Sequence, residues 1–197
     1  KHMTYFYKGS KIQAPLTITS NEPVYETLSV GMSTQRASQN AQRWELSFAV
    51  TGHGGNEADM MLASITDMDT VGTMVMPQLP SVVRSNTISN LRSISASAAI
   101  GDDVVYINSD GVLSKGTFIK FGNHDKLYMV TTTTTTSGTV EVGIYPSLRS
   151  TITTANAIKT GSSVLLSYYR DVSNVRGITF EDGIISNPGL ISLVEAI

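Results

Sequence analysis

The side chains that could do acid–base or metal chemistry are few and scattered in this sequence. The histidines are His2, His53 and His124, and no two of them have the spacing of an H-x-H or H-E-x-x-H metal motif. We interpret His2, with the lysine before it, as a remnant of cloning. His53 could form a metal pair with Glu57 or Asp59, but an ordinary solvated histidine in a glycine loop is the interpretation we favour.

Paired acidic residues occur at three places, and a pair can act as general acid and base only if the fold holds the two carboxylates across a substrate. The pairs are Asp67 with Asp69, Asp102 with Asp103, and Glu181 with Asp182. Neighbouring carboxylates in turns are usually just solvated turn residues. The spacing of Asp67 and Asp69 also lacks the remaining ligands of a calcium loop. We therefore predict no catalytic residue among these acids.

The signatures of nucleophilic and phosphate-binding chemistry are missing as well. The chain has no cysteine and no G-x-S-x-G motif, which excludes disulfides, thiolate metal sites and a cysteine nucleophile. The glycine-rich stretch 52–55 precedes a predicted helix, as a phosphate-binding loop does. It has no Walker lysine, and Glu57 after it would repel phosphate. The sequence thus predicts no catalytic, cofactor-binding or metal-binding residue, and no cofactor.

Composition narrows the class of protein further. The 197 residues carry 14 basic and 16 acidic side chains, a net charge of −2, and 41% of them are hydrophobic. This apolar content argues against disorder, and the near-neutral charge argues against a nucleic-acid partner. The scattered arginines support that view: Arg84, Arg92, Arg149, Arg170 and Arg176. No apolar run approaches the ~18 residues of a membrane span.

The elements that would position any site are mostly strands. Residues 43–51 alternate, with Trp44, Leu46, Phe48 and Val50 on one face, which is typical of a half-buried strand. Residues 56–67 show helical spacing after a good N-cap, and they predict one short helix. Residues 81–99 read as a polar connecting segment.

A second strand-rich block follows this connector. It contains predicted strands at 104–107, 116–121, 126–136, 139–144 and 162–169, with a hairpin loop at 122–125. The threonine run 131–136 fits a strand because threonine is β-branched, and we expect an edge strand or a mobile hairpin tip there.

The end of the chain predicts three more short strands, at 177–181, 184–186 and 190–196, with tight turns between them. Such strands cannot bury themselves alone, so we expect them to complete the sheet begun by 16–50. The fold class is therefore mainly β. We predict one domain made of 1–87 together with 171–197, and an inserted domain at 88–170.

An ordered set of short motifs in the inserted block resembles a pattern of long-tailed phage tail proteins. The set comprises G-x-h-h-x-F at 116–121, h-Y-x-V at 127–130, a threonine- and serine-rich hairpin, and h-x-P-x-L-R at 144–149, where h is hydrophobic. The wider order resembles the siphophage distal tail protein of the kind found in T-five-like phages. That order includes the turn 21–23, the aromatic strand 43–50, the helix and the final hairpin 177–196.

The resemblance implies a structural protein of the virion, at the tail tip, and not an enzyme. It implies a split β-sandwich or barrel domain that forms a ring of six copies, with one short helix, and an inserted OB-like β-barrel. The implied role is an adaptor between the tail tube and the tip or baseplate complex. The implied partners are other copies of itself, the tail tube protein and the baseplate hub and tip proteins.

Two other functions stay open at this point. OB-like barrels often bind oligosaccharides, so the chain could be a carbohydrate-binding module for host attachment, with a host cell-surface glycan as partner. The strand tyrosines could stack on sugar, although packing in the barrel is the interpretation we favour: Tyr106, Tyr128, Tyr145, Tyr168 and Tyr169. A metal- or carboxylate-dependent hydrolase acting on cell wall rests on His53, Glu57 and Asp59 alone.

Overall fold

The computed structural model describes residues 4–38, 41–50, 70–78, 94–108, 113–136, 138–171, 179–181, 184–187 and 190–197. Over these residues the secondary structure is β-strand apart from one short 3-10 turn, Gly161–Ser163. The prediction of a mainly β fold is confirmed. The predicted helix at 56–67 lies outside the described residues, and so do His53, Glu57 and Asp59. No described helix is long and apolar enough to cross a membrane.

The strands are numbered in chain order. They are β1 (Phe6–Tyr7), β2 (Ser10–Asn21), β3 (Val24–Leu28), β4 (Thr34–Ser38), β5 (Arg43–Val50), β6 (Gly72–Val75), β7 (Ile94–Ala96), β8 (Val104–Asn108), β9 (Phe118–Phe121), β10 (Leu127–Thr136), β11 (Thr139–Tyr145), β12 (Ile158–Lys159), β13 (Leu165–Arg170), β14 (Thr179–Glu181), β15 (Ile184–Asn187) and β16 (Ile191–Glu195). They form two six-stranded sheets, in the orders β1-β2-β5-β16-β13-β6 and β12-β9-β10-β11-β8-β7, and two hairpins, β3-β4 and β14-β15.

The chain divides into two compact units. Unit 1 consists of residues 1–5, 73–167 and 197, and unit 2 consists of 6–72 and 168–196. In sequence, unit 1 therefore interrupts unit 2. The domain boundaries expected from the sequence, after 87 and after 170, stay a prediction.

The core of unit 2 is built on the alternation of β5. Trp44, Leu46, Phe48 and Val50 are all buried, while the residues between them are only partly covered. This strand is therefore the one expected from its period-two pattern. It pairs antiparallel with β2 on one side and β16 on the other, so β5 has both of its edges occupied.

The expectation that three C-terminal strands complete this sheet is right for β16 and wrong for β14 and β15. In β16 the alternating Ile191 and Leu193 are fully buried and lie opposite Phe48 and Leu46. The other two strands pair with each other in a separate hairpin. Because β2 and β16 occupy both edges of β5, neither β14 nor β15 pairs with that strand.

Unit 1 closes around one apolar cluster. The sheet contributes alternating buried residues from β8 to β11, and segments after β11 cover them: Val105, Ile107, Ile119, Phe121, Tyr128, Val130, Val140, Val142, Ile144, Leu148 and Ile152. The strands expected at 104–107, 126–136 and 139–144 are all present, each within one residue of its predicted bounds. The loop expected at 122–125 connects β9 to β10.

Three local differences from the sequence prediction have physical reasons. Ile94–Ala96, expected as connector, is a strand because the buried Ile94 anchors it to β8 opposite Ile107. Gly116 has a φ of 82° and belongs to a turn, so β9 begins at Phe118 and not at Gly116. Residues 162 and 163 lie in the 3-10 turn, and the strand begins at Leu165.

The threonine run lies at an edge, one of the two arrangements expected for it. Thr132–Thr136 pair with β11, whereas β9 pairs with β10 only as far as Met129. Among the described strands, this half of β10 therefore has a single strand partner. A register shift between Val130 and Thr132 separates the two halves.

We expect Gly72→Ala to destabilise unit 2 by about 1–3 kcal/mol, the usual cost of overpacking. A Cβ at Gly72 would lie 2.5 Å from Cζ of Tyr168, whose side chain is buried against Tyr7. The measurement is urea unfolding followed by the fluorescence of the single tryptophan, Trp44.

Gly31→Ala is the matched control for this change. At Gly31 the nearest atom to a new Cβ is Ser29 Oγ at 3.9 Å, so its free energy of unfolding should change by less than about 0.5 kcal/mol. Equal losses in the two variants would contradict the packing assigned to Tyr168.

Candidate functional site

The acidic pairs expected from the sequence do not form an active site among the described residues. Asp102 Oδ2 accepts the backbone N–H of Ala99 at 2.7 Å, so this carboxylate closes a turn. Glu181 lies in β14, while Asp182, Asp67 and Asp69 lie outside the described residues. Within the described part of the chain, no three His, Cys, Asp or Glu side chains are close enough together to hold a metal ion.

His124 is the one described histidine, and it lies at the centre of a polar cluster in unit 1. The cluster occupies the 122–126 loop, which joins β9 to β10. The Nδ1 atom of His124 is 2.9 Å from Asn123 Oδ1, and its Nε2 atom is 2.8 Å from the hydroxyl of Tyr128. The ring also packs edge-on against that of Tyr128, with centroids 5.5 Å apart.

The loop is tied to neighbouring segments by two further bonds. Asn123 Nδ2 donates to the carbonyl of Thr151 at 3.0 Å, and the Gly122 N–H donates to the carbonyl of Ala157 at 2.8 Å. The Tyr128 hydroxyl accepts the Arg149 N–H at 3.0 Å. The side chain of Tyr128 thus links the loop, β10 and the segment after β11.

Lys120 is a functional group of the site that reasoning from the sequence missed. Although it is 5% exposed, its Nζ donates to Asp125 Oδ1 at 2.7 Å and to the Leu165 carbonyl at 3.2 Å. The available signal was a lysine within the otherwise apolar strand Phe118–Phe121, all of whose residues are buried. A buried ammonium needs such partners, because its desolvation is otherwise very costly.

The electrostatics of the loop follow from this arrangement. The hydrogen bond from Lys120 lowers the pKa of Asp125 below its ordinary 3.8, so the carboxylate is charged at neutral pH. Burial, and then the positive charge of Lys120, lower the pKa of His124 below its ordinary 6.5. His124 is therefore neutral at pH 7.

The polar side chains of the 122–126 loop serve to hold the loop in place. A shallow polar depression is lined by Lys120, Phe121, Gly122, Asn123, His124, Asp125 and Lys159. The side chains of Asn123, His124 and Asp125 are each engaged in bonds within the unit. These bonds hold the loop against its neighbouring segments. That the chain has no catalytic, metal-binding or cofactor-binding residue stays a prediction.

The five strand tyrosines divide between core and surface. Tyr128 and Tyr168 are buried, so the packing interpretation is right for both, and Tyr145 is half-buried. Tyr169 in unit 2 is 42% exposed and Tyr106 in unit 1 is 40% exposed. Stacking on a ligand is therefore possible for Tyr106 and Tyr169, and excluded for the fully buried Tyr128.

Tyr106 lies in an exposed cross-strand row of unit 1. It pairs with Glu141 of β11, which in turn pairs with Thr134 of β10, and all three side chains are exposed. We call Thr134, Glu141 and Tyr106 the Tyr106 row. An aromatic ring beside a carboxylate and a hydroxyl offers one stacking surface and two hydrogen-bonding groups.

A second exposed surface belongs to unit 2 and is apolar. We define the β3–β4 arm as residues 24–37, and all of its side chains except Ser29 are exposed. Its apolar residues include Tyr25 at 65%, Leu28 at 68% and Met32 at 84% exposure. Its only charges, Glu26 and Arg36, pair with each other at 3.1 Å. An isolated hairpin is marginally stable in water, so burial against a partner would stabilise this arm.

Comparison with known proteins identifies part of unit 1. Residues 82–164 match the family model described as distal tail protein pb9, B domain. The chain matches no curated protein.

The Lys120–Asp125 pair predicts how stability depends on pH at the acid end. Because the folded pKa of Asp125 is depressed, its charged carboxylate stabilises the fold. This stabilisation is complete above the ordinary pKa of 3.8 and is lost as the pH falls through the folded pKa. We expect Asp125→Asn to flatten the profile of unfolding free energy in that window. Urea unfolding at a series of pH values measures it.

A double-mutant cycle with Lys120→Met isolates the pair. In the Lys120→Met background, Asp125→Asn should no longer change the slope of the profile in this window. A slope difference of the same size with and without Lys120 would show that another group sets the carboxylate's pKa.

Proposed function

Residues 82–164 belong to the B-domain family of the distal tail protein pb9, and from this premise we propose that the chain is a ring-forming adaptor at the tip of a phage tail. The relation to siphophage distal tail proteins, expected from the motifs at 116–149, is confirmed by a match that includes all of those motifs. The match covers residues 82–164, so the role of the whole chain in a phage tail is part of the proposal. The ring, its position at the tip and its partners are the proposal.

The β3–β4 arm supports assembly into a ring. A ring requires a heterologous contact, in which one surface of a copy binds a different surface of the next. Exposed apolar residues such as Leu28 and Met32 would be protected by such a contact. Because the charges of the arm are internally paired, its partner should be uncharged, which fits a second protein surface better than a polyanion.

The outer edge of β2 offers a second element of that contact. β2 has 12 residues and pairs with β5 on both sides of an irregularity between Gln13 and Thr17, whereas among the described strands only β1 lies on its other side, at Ser10 and Lys11. An open strand edge is a template for pairing with a neighbouring chain. β2 is followed directly by the arm, so the edge and the arm form one continuous stretch of sequence, 12–37.

In this proposal the protein acts by binding and assembly, with no catalytic step. The partners beyond its own copies are the tail tube protein on one side and the baseplate hub and tip proteins on the other. The arrangement suited to this role is a ring of six copies at the tail tip in the virion.

Charges introduced into the arm test the ring. We expect Leu28→Lys together with Met32→Lys to prevent ring formation, because lysines at a closely packed strand contact oppose association. The wild-type chain should be monomeric or partly assembled at micromolar concentration and form a sixfold ring at high concentration or on tails. Sedimentation over a concentration series, with electron microscopy of the concentrated protein, measures assembly.

Ile100→Lys is the matched control, since Ile100 is 66% exposed and belongs to unit 1. It should leave the ring intact. Assembly should also weaken little between ~0.1 and ~1 M salt, where the Debye length falls from ~10 to ~3 Å, because the contact is apolar. A stable twofold dimer without a larger ring would overturn the ring assignment.

A second candidate function is carbohydrate binding for host attachment, and the exposed Tyr106 row favours it. The ring of Tyr106 is available for stacking on a sugar, and Glu141 and Thr134 beside it can bond to hydroxyls. This function is compatible with the first, since the row lies in unit 1 and the arm in unit 2.

Two substitutions at Tyr106 test the carbohydrate hypothesis. If a glycan array identifies a ligand, Tyr106→Ala should abolish binding, while Tyr106→Phe should keep most of it because the stacking ring remains. At about millimolar sugar a single weak site is still occupied. If no glycan binds at that concentration, the carbohydrate hypothesis is wrong. Equal binding by both variants would place the sugar elsewhere.

A further inference from the structure

Two lysines lie directly opposite each other where β9 pairs with β12. Lys120 of β9 is the register partner of Lys159 of β12 in this antiparallel pair, so the two side chains extend from the same face of the sheet. Like charges in directly opposite positions destabilise a pair of strands. The pairing of β9 with β12 therefore does not benefit from this arrangement, which would favour a ligand of opposite charge.

Both lysines line the shallow depression beside the 122–126 loop, which has a volume of about 220 Å³. The other titratable residues of its lining are His124 and Asp125. His124 is neutral at pH 7, because burial and then Lys120 lower its pKa below the ordinary 6.5. Asp125 compensates for one lysine, since Lys120 Nζ lies 2.7 Å from its Oδ1. Counted over the lining residues, one positive charge is therefore in excess.

Hydrogen-bond donors for a ligand remain in this depression. The ammonium group of Lys120 has three hydrogens, and its bonds to Asp125 and to the Leu165 carbonyl use two of them. Because Lys120 is also buried, its ammonium group is held in place before any ligand binds. The Asn123 amide likewise donates one hydrogen to the Thr151 carbonyl and keeps a second. A ligand with several acceptor oxygens would therefore meet donors that are already ordered.

We propose that this depression binds a phosphate group, with Lys120 and Lys159 as its two cationic contacts. Lysine binds phosphate as a point charge, whereas arginine is the usual residue for planar, bidentate recognition of a carboxylate. The lining residues include two lysines and no arginine, so phosphate fits them better. Asp125 opposes the anion and the depression is shallow, so we expect a dissociation constant of about 1 mM. The phosphate is either the free ion or an ester on a saccharide.

The imidazole of His124 reports the bound charge, because it lines the same depression. In the free protein, burial and then Lys120 lower its pKa, Asp125 raises it, and Lys126 lowers it further. An anion held by Lys120 and Lys159 would favour the imidazolium form, as any nearby negative charge does. Binding should therefore raise the folded pKa of His124 toward its ordinary value. By reciprocity, the anion should bind more tightly when His124 is protonated.

Two NMR measurements on the full-length chain test this site. At neutral pH, sodium phosphate should shift the amide signals of the 122–126 loop along a saturating curve, when compared with sodium chloride at equal ionic strength. Sodium sulfate, a tetrahedral anion that does not titrate near neutral pH, should raise the pKa of His124 relative to sodium chloride. Shifts that stay linear and equal to those in chloride, or a His124 pKa that sulfate leaves unchanged, would overturn the proposal.

Two variants separate a built site from general attraction to positive charge. Lys159 is exposed, so Lys159→Gln should leave the fold intact and weaken phosphate binding about tenfold, the effect of losing one charge-assisted hydrogen bond. Lys115 is also exposed and belongs to unit 1, but it does not line the depression. Lys115→Gln removes the same charge and should leave the affinity unchanged. Equal losses in the two variants would show that only net charge matters and would refute the site.

Probes with and without a sugar identify the source of the phosphate. Tighter binding of glucose 1-phosphate than of inorganic phosphate would assign the site to a phosphate ester on a saccharide, and equal binding would assign it to the free ion. Glucose alone should not shift the loop signals, and an equal shift with glucose would contradict a phosphate site. Phosphate should bind Tyr106→Ala as it binds the wild type, since Tyr106 does not line the depression. These readouts involve no assembly, so they are independent of the ring proposal and of the carbohydrate hypothesis.

Discussion

The pairing of β5 with β16 is the constraint on which the arrangement of this chain depends. Leu46 and Phe48 lie opposite Leu193 and Ile191, and the Trp44 N–H donates to the buried carboxylate of Glu195, 151 residues away. The core of unit 2 is therefore incomplete until the end of the chain returns. The main segment of unit 1, residues 73–167, lies between these two strands in sequence, so its ends must be compatible with closing that sheet. Such a long closure has an entropic cost that grows slowly with length, which is why a whole unit can be accommodated there.

Within unit 1, the polar cluster around Tyr128 fixes the position of the 122–126 loop, which apolar packing alone would not do. The side chain of Tyr128 fills the core beside Phe121, with ring centroids 5.3 Å apart. Its hydroxyl then specifies where the 122–126 loop and Arg149 lie, because hydrogen bonds are directional and dispersion contacts are not. Lys120 acts similarly toward Asp125 and Leu165. The loop is thus positioned by a few polar groups, of which Lys120 and Tyr128 are buried.

The two units divide the surface chemistry between them. Unit 2 has the β3–β4 arm, whose two charges pair with each other, a surface suited to pairing with protein, while unit 1 has the polar Tyr106 row. A protein with few charged residues, 15% of the total, has few side chains that block strand pairing. That composition favours assembly into a larger structure, which the proposed ring requires.

The sequence by itself determined the fold class, which is mainly β, and most of the strands. The alternation of β5, the strands from β8 to β11 and the motifs at 116–149 were readable because side-chain direction in a strand follows from period two alone. The order of those motifs pointed to the distal tail proteins, whose B-domain model residues 82–164 match. The absence of cysteine and of metal-ligand spacing was also plain from the residues.

Only the tertiary structure decided which strand pairs with which, and which side chains share a site. β14 and β15 look like β16 in sequence, but β5 has only two edges, and occupancy of an edge is not a local property. Lys120 could not be recognised as buried, nor Tyr128 as the partner of His124 and Arg149, because these contacts depend on how β9, β10 and the segment after β11 pack. Burial and then the charge of Lys120 lower the pKa of His124, and this burial arises only when the loop packs within the folded unit.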